Sequence, residues 1–203
     1  MKTNALPIDA KKGRQTRASS PVAGYATIML MRIDSSQPTL LLASSRPKGN
    51  TFALARMVLP ESAAPLVDLA SLNIGYYSYS NSHADDDFLP LITQLIASPV
   101  WVIATPLYWY TMSAQAKTFL DRLSDLLSFC KPLSQQLRGK RLAVLCSGSD
   151  PAPPTSFSQP FELTCGYLSM RFLGCHYMQF DGDCVVDPDA AALAEKFGDS
   201  LNR

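Results

Sequence analysis

Short apolar runs recur along the chain at intervals that leave room for a helix between them. The clearest run, Val100-Trp-Val-Ile-Ala-Thr105, is rich in β-branched residues and ends at Pro106, which has no N–H to donate to a neighbouring strand. Such a run is typical of a strand that is buried on both faces. The predicted strands cover residues 39–44, 65–69, 100–105, 141–146 and 175–180.

The segments between these runs show the periodicity of amphipathic helices. After Ser113, whose hydroxyl can cap a helix, the apolar residues lie on one helical stripe and the charged residues lie off it. The stripe consists of Phe119, Leu123, Leu126 and Leu127, and the residues off it are Asp121, Arg122 and Asp125. Further helices are predicted at 52–59, from 85 onward, at 157–173 and at 188–201. Strands that alternate with helices predict an α/β fold with a doubly wound, five-stranded parallel sheet.

Residues 1–36 do not follow this pattern, and the predicted domain occupies residues 37–203. The first thirty residues hold five basic residues and one acidic residue, a net charge of +4, so the rest of the chain carries −3. Three interpretations stay open. The segment is a flexible tail with an added strand or docking segment, the result of a translation start assigned upstream of Met29 or Met31, or a targeting segment.

Composition argues against several classes of function. An apolar fraction of 47% and a charged fraction of 17% are ordinary for a globular domain, and a net charge of +1 argues against a nucleic-acid partner. No apolar run reaches the roughly 18–20 residues that span a bilayer, so no membrane partner is expected. The five cysteines form no CxxC pair and no metal-ligand spacing, which indicates reduced thiols in a cytoplasmic protein without a metal site.

Two groups of titratable residues are interpreted as structural. Asp85, Asp86 and Asp87 lie in the predicted first turn of a helix, where the helix dipole favours carboxylates, and three consecutive side chains do not converge on a metal. His176 lies in a predicted strand, where a satisfied structural histidine is the favoured interpretation. Because His83 is the only other histidine, no histidine-based hydrolytic triad is predicted.

A loop of small and hydroxyl residues joins the first strand to the first helix. Its sequence is Ser44-Ser-Arg-Pro-Lys-Gly-Asn-Thr51. Small residues, with Gly49 among them, let backbone N–H groups converge at a helix N-terminus, where they bind phosphate. Arg46 and Lys48 add positive charge. The Gly-Lys-Ser/Thr ending of a Walker A loop is absent, and a capped turn without a ligand is the alternative.

The segment after the third strand places three aromatic residues on a loop where no core requires them. It runs Pro106-Leu-Tyr-Trp-Tyr-Thr-Met112. Ligands of open α/β sheets bind at the carboxyl ends of the strands, so we predict a ligand site here. A hydrophobic turn that merely covers the core is the alternative. Another loop, Ser147-Gly-Ser-Asp-Pro-Ala-Pro-Pro-Thr155, follows the fourth strand and opens on the same edge.

The stretch from Thr105 to Arg122 resembles the flavin-ring loop of the NAD(P)H-dependent FMN reductases. It reads Thr-Pro-Leu-Tyr-Trp-Tyr-Thr-Met-Ser-Ala-Gln-Ala-Lys-Thr-Phe-Leu-Asp-Arg. These proteins are flavodoxin-like oxidoreductases, a family that also includes quinone reductases. The loop 44–51 is similar to the family's Ser-x-Arg-x-x-Gly-Asn-Thr loop, and Ser147 and Gly148 match the family's flavin-contacting position after the fourth strand. The resemblance covers roughly residues 38 to 200.

The resemblance implies a flavodoxin-like, three-layer αβα fold with strand order 2-1-3-4-5 and FMN bound at the topological switch point between strands 1 and 3. NADPH or NADH would donate hydride, and a quinone, nitro-compound, free flavin or similar small molecule would accept the electrons. The flavin would carry the chemistry, so no catalytic side chain is predicted. Family members are commonly dimers, so a homodimer is expected. The implied cofactor-binding residues are Ser44, Arg46, Gly49, Asn50, Thr51, Pro106, Leu107, Tyr108, Trp109, Tyr110, Thr111, Ser147 and Gly148.

Two other functions stay open on the same fold. A flavodoxin-like electron carrier or redox-sensing flavoprotein would bind the flavin but turn over little. A flavin-free interaction module would be colourless when purified. Tyr76, Tyr77 and Tyr79 are equally compatible with the substrate side of a flavin, with a subunit contact and with plain surface positions.

Overall fold

The computed structural model describes Ile33 and residues 35–201. The predicted N-terminal extension therefore lies almost entirely outside the described residues. Within the described residues, no helix combines the length and the apolar character that crossing a bilayer requires.

A six-stranded sheet forms the centre of the fold. Its strands are β1 (Thr39–Leu42), β2 (Leu66–Asp68), β3 (Val100–Pro106), β4 (Arg141–Gly148), β5 (Arg171–Asp181) and β6 (Cys184–Val185). The order is β2-β1-β3-β4-β5-β6. The first five strands pair in parallel, and β6 pairs antiparallel with β5. The predicted strands and their order are confirmed, while β6 was missed because two residues carry no readable pattern.

Helices cover both faces of the sheet. They are α1 (Asn50–Val58), α2 (Phe88–Leu95), α3 (Ala114–Ser128), α4 (Lys131–Gln135), α5 (Gln159–Tyr167) and α6 (Ala190–Leu201), with a 3₁₀ turn at Leu69–Ser71. The helix predicted at 157–173 extended too far. Ser169 has a positive φ of 57°, which ends helical geometry, and β5 begins two residues later.

The buried residues form two apolar layers, one on each side of the sheet. Strand β3 is buried along its whole length, and its side chains alternate between the layers. Trp101 and Ile103 belong to the layer that packs against α2, α3 and α5. Val100, Val102 and Ala104 belong to the layer that packs against α1 and α6. Apolar and polar residues do not alternate along β3 because, as predicted, the strand is buried on both faces.

Ser113 fixes the start of α3 at the carboxyl ends of β1 and β3. Its Oγ accepts a hydrogen bond from Ala116 N at 3.2 Å and donates one to Ala43 O at 2.7 Å. Its backbone N–H donates to Thr105 Oγ1 at 2.9 Å. The predicted cap is confirmed, and it ties the helix to two strands at the edge where the loops open.

Four buried charged residues depart from their predicted positions. Asp86 and Asp87 precede α2 rather than lying in its first turn, and both are buried. Arg122 and Asp125 were expected off the apolar stripe, yet both are buried as well. Arg122 forms one ion pair with Asp86 and another with Asp125. Hydropathy alone assigns a charged residue to the exposed face of a helix, and this assignment is wrong where the charge is buried together with its partners.

Gly198 is required where α6 crosses α1. A Cβ at this position would lie 2.3 Å from Val58 O, whereas a Cβ at Gly166 in α5 would meet no atom within 4 Å. We therefore expect Gly198→Ala to lower the free energy of unfolding by about 1–3 kcal/mol through overpacking. Gly166→Ala is the matched control, and its better helix propensity should raise stability by up to about 1 kcal/mol. Urea unfolding of both variants measures the difference, and equal effects would contradict the packing argument.

Candidate functional site

Three loops meet around one cavity of about 240 Å³ at the carboxyl edge of the sheet. They follow β1, β3 and β4. Ten of the thirteen residues predicted to bind a cofactor line this cavity, and Trp109, Tyr110 and Thr111 do not. The ten are Ser44, Arg46, Gly49, Asn50, Thr51, Pro106, Leu107, Tyr108, Ser147 and Gly148. Their role in binding remains a prediction, but the structure brings them to one place.

One end of the cavity is the N-terminus of α1. Gly49 occupies the N-cap position, and no side chain caps the helix there. The first N–H groups of a helix have no partner within it, so Asn50 and Thr51 present backbone donors at the cavity. The positive end of the helix dipole adds to them, and Arg46 lies beside them. This end of the cavity is suited to an anion.

A pair of hydroxyls joins the helix to the neighbouring strand. Thr51 Oγ1 and Ser147 Oγ lie 2.8 Å apart, and both residues are buried. A hydrogen bond between two hydroxyls uses one proton and leaves the other free to donate. The pair therefore fixes α1 against β4 and keeps one donor for a ligand.

The side chain of Asn50 points to a wall of the cavity that was not predicted. Its Nδ2 donates to Gly182 O at 2.7 Å, and Gly182 and Phe180 line the cavity. The side-chain amide therefore holds the β5–β6 turn. Asp181 pairs with Cys184, so the two-residue loop is Gly182-Asp183. Glycine at the first position of such a loop is a known hairpin signal, and it could have predicted this turn.

The aromatic loop folds into a tight two-residue turn. Tyr108 N donates to Thr111 O at 2.9 Å, and Thr111 N donates to Tyr108 O at 3.0 Å. Trp109 and Tyr110 both have positive φ, 47° and 68°, which defines the mirror-image turn that normally requires Asn-Gly. The turn directs these side chains to solvent, where they are 92% and 68% exposed. Only Tyr108 of the three aromatics lines the cavity.

The other side of the cavity is closely packed backbone. Leu107 N donates to Ser147 O at 2.7 Å. A Cβ at Gly148 would lie 2.7 Å from Tyr177 Oη and 3.2 Å from Leu107 Cβ, so any other residue there would displace Tyr177. Tyr177 is held by a bond to Asp150 O at 2.6 Å. Burial, with smaller effects of Cys146 and Asp150, raises the pKa of Tyr177 to about 12, so it stays protonated.

The cavity offers binding groups rather than an acid or base. Among the described residues that line it, Arg46 alone is charged. His176 lies elsewhere, in β5, with its ring stacked on Phe197 at 5.3 Å. Burial lowers its pKa, which agrees with a neutral histidine, but the prediction of a satisfied histidine is wrong, because its buried Nε2 has no hydrogen-bond partner among the described residues. The described residues contain no group of three His, Cys, Asp or Glu side chains that could hold a metal ion.

Comparison with known proteins gives a consistent result. The sequence model of one family, described as NADPH-dependent FMN reductase, matches residues 39–183. YwqN of Bacillus subtilis, named as an NAD(P)H-dependent FMN-containing oxidoreductase, is 30% identical over 169 residues, which cover 75% of this chain and 91% of YwqN.

Two solved structures share the fold. The Trp repressor binding protein of Bacillus subtilis superimposes with a TM-score of 0.65 at 23% identity, over 79% of this chain and 97% of that one. An NADPH-quinone reductase from P. pentosaceus has a TM-score of 0.58 at 17% identity, over 82% of this chain and 98% of that one.

Proposed function

Because the chain belongs to the NADPH-dependent FMN reductase family, we propose that it passes electrons from NADPH or NADH, through FMN held at the cavity, to a small organic acceptor. A quinone, a nitro-compound or a free flavin is the proposed class of acceptor. The observation that carries the proposal is the convergence of three separate loops on one cavity with an uncapped helix N-terminus at one end.

The chemical groups that line the cavity suit the parts of FMN. The uncapped N-terminus of α1 and Arg46 suit a phosphate. The buried hydroxyls of Thr51 and Ser147 suit the hydroxyls of a ribityl chain. A volume of about 240 Å³ is below the roughly 300–1,000 Å³ of sites that enclose a whole organic ligand. The cavity would therefore enclose the polar part of the cofactor and leave the rest at the surface.

FMN, when bound, supplies the two-electron redox chemistry, and the protein supplies binding and orientation. Arg46 and the α1 dipole neutralise the phosphate charge. The contact between Leu107 and Ser147 and the absence of a side chain at Gly148 give the cavity a firm, flat wall. Since Arg46 is the only charged residue among the described ones that line the cavity, no side chain is assigned a proton transfer.

The test of this function is reduction under anaerobic conditions. The purified protein, loaded with FMN, is expected to lose its flavin absorbance in one two-electron step when NADPH or NADH is added. An absorbance titration with each nicotinamide measures the stoichiometry and the preference. Stepwise one-electron reduction by light, with no bleaching by either nicotinamide, would favour the electron carrier. A protein that binds no flavin would favour the interaction module.

We also propose that the protein is a cytoplasmic homodimer. A groove of about 480 Å³ runs between α3 and α5, and the exposed Leu163 and Tyr167 line it. A second copy would cover these apolar side chains. The proposed cytoplasmic location rests on the cysteines, since all five are free, as expected in a reducing compartment. Sedimentation of the wild type beside Leu163→Glu measures the dimer, and a monomeric wild type would contradict it.

A further inference from the structure

Arg122 is the centre of a buried charge network that lies away from the cavity. It is 1% exposed, and each of the N–H groups of its guanidinium has an acceptor. Nε donates to Asp125 Oδ2 at 2.7 Å. The terminal nitrogens donate to both carboxylate oxygens of Asp86 and to two backbone carbonyls, Gly75 O at 2.9 Å and His83 O at 3.3 Å.

The two carbonyls are the ends of one surface loop, residues 75–83, which we term the tyrosine loop. Asp86 also holds the Gly75 end of the loop, because its Oδ2 accepts a hydrogen bond from Gly75 N at 2.8 Å. The His83 ring packs so closely on Gly75 that a Cβ there would lie 2.5 Å from His83 Nδ1. The loop is thus closed at its base by one arginine and one aspartate.

This network determines the shape of the loop more than it stabilises the fold. A buried ion pair is often no more stabilising than apolar residues of the same volume, because desolvation offsets the attraction. What apolar residues cannot do is hold two backbone carbonyls in place. Tyr76 lies directly beside this base and is 77% exposed. A rigid base next to an exposed aromatic ring keeps that ring in a preformed position for binding.

The start of the tyrosine loop, Gly75 and Tyr76, and the segment 69–74 before it form one wall of a groove of about 410 Å³, which we term the tyrosine groove. The first turns of α3 form the opposite wall, with Gln115 and Thr118. The volume lies within the roughly 300–1,000 Å³ of sites for small organic ligands. The apolar side chains that line the groove include Leu69, Leu72 and Ile74, and Tyr76 lies at its edge.

The lining defines the chemistry of the ligand. Within the part of the chain that the structure describes, none of the residues that line the tyrosine groove carries a charge, and a charged ligand buried without a partner would be destabilised. The exposed ring of Tyr76 offers a surface for aromatic stacking. Gln115 uses its Nε2 to donate to Ser45 Oγ at 3.0 Å, which leaves its carbonyl oxygen as an acceptor. The groove is suited to a flat, uncharged molecule with a few polar atoms.

The same Gln115 contact joins the groove to the cavity. Ser45 lies between Ser44 and Arg46, which both line the cavity, while Gln115 lines the groove. We propose that the tyrosine groove binds an uncharged aromatic molecule and, resting on the proposed function, that this molecule is the electron acceptor.

The experiment uses the full chain loaded with FMN and 2-methyl-1,4-naphthoquinone as the probe. Tyr76→Ala is expected to raise the equilibrium Kd of the oxidised protein for the quinone, and its KM with NADPH as donor, by about fivefold to tenfold. The kcat, the Kd for FMN and the rate of flavin bleaching by NADPH should not change. Tyr79→Ala is the matched control, because Tyr79 lies on the same loop but does not line the groove; it should leave Kd and KM unchanged.

The outcomes separate the groove from the proposed function. Equal effects of Tyr76→Ala and Tyr79→Ala on Kd would overturn the groove as a binding site. A Kd that rises while KM stays constant would overturn its assignment to the electron acceptor. If NADPH fails to bleach the flavin, the proposed function is overturned, yet a Kd that rises only in Tyr76→Ala still supports the groove. The 2-sulfonate of 1,4-naphthoquinone should bind at least tenfold more weakly than the neutral quinone, and equal binding would contradict an uncharged ligand.

Discussion

Gly49→Asp is expected to weaken FMN binding by about two to three decades without loss of stability. Gly49 is the N-cap of α1 and has ordinary extended backbone, with φ −89°, so any residue can take its place. A Cβ there would lie 3.1 Å from Arg46 Cβ, so the backbone at Arg46 has to move by a few tenths of an ångström, a small cost that the better cap offsets. Asp is among the best N-cap residues, better than glycine by a few tenths of a kcal/mol.

The same carboxylate would occupy the position that we assign to the phosphate. Two unit charges about 4 Å apart near a protein surface repel by about 4 kcal/mol, and each 1.4 kcal/mol corresponds to a decade in Kd. Equilibrium titration with FMN and with riboflavin measures the effect, since riboflavin has no phosphate and should bind the variant almost as well as the wild type.

Gly49→Asn is the matched control for this prediction. Asn has the same size as Asp and caps equally well, but it carries no charge. We expect it to bind FMN within a few-fold of the wild type. Equal losses in Gly49→Asp and Gly49→Asn, or equal losses for FMN and riboflavin in Gly49→Asp, would show that no phosphate binds at the N-terminus of α1.

The parts of the site that sequence could predict are the local ones. The loop 44–51 joins a strand directly to a helix, so its composition alone predicts where backbone N–H groups converge. Ser113 likewise caps the helix that begins one residue after it. In both places the residues that carry the signal and the structure that they form lie within a few positions of each other.

The parts that sequence missed depend on distant contacts or on backbone geometry. Asn50 binds Gly182 across 132 positions, and no local pattern connects them. The direction of Trp109 and Tyr110 depends on positive φ angles that these residue types rarely adopt. A hydropathy pattern contains no information about either. All of residues 106–111 were therefore predicted to bind the cofactor, although only Pro106, Leu107 and Tyr108 line the cavity.

Arg122 shows the same limit inside the core. Its spacing on α3 placed it off the apolar stripe, because periodicity treats every arginine as a surface residue. Its partners Asp86 and Gly75 lie 36 and 47 positions away. Burial by itself lowers the pKa of the guanidinium, but the bonds to Asp86 and Asp125 and their negative charges more than offset this and raise it. The arginine therefore stays charged in the interior.

Arg122→Met is expected to lower the free energy of unfolding by about 3–5 kcal/mol, since it leaves two buried carboxylates without their partner. Arg122→Lys keeps the charge but has three donors for five acceptors, so we expect a smaller loss. Replacing all three charges, as in Arg122→Met with Asp86→Asn and Asp125→Asn, should recover at least half of the loss, because no uncompensated charge remains buried. Urea unfolding of the three variants gives these values directly. If the triple variant is no more stable than Arg122→Met, the cost comes from the lost volume and the lost loop contacts rather than from unpaired charge.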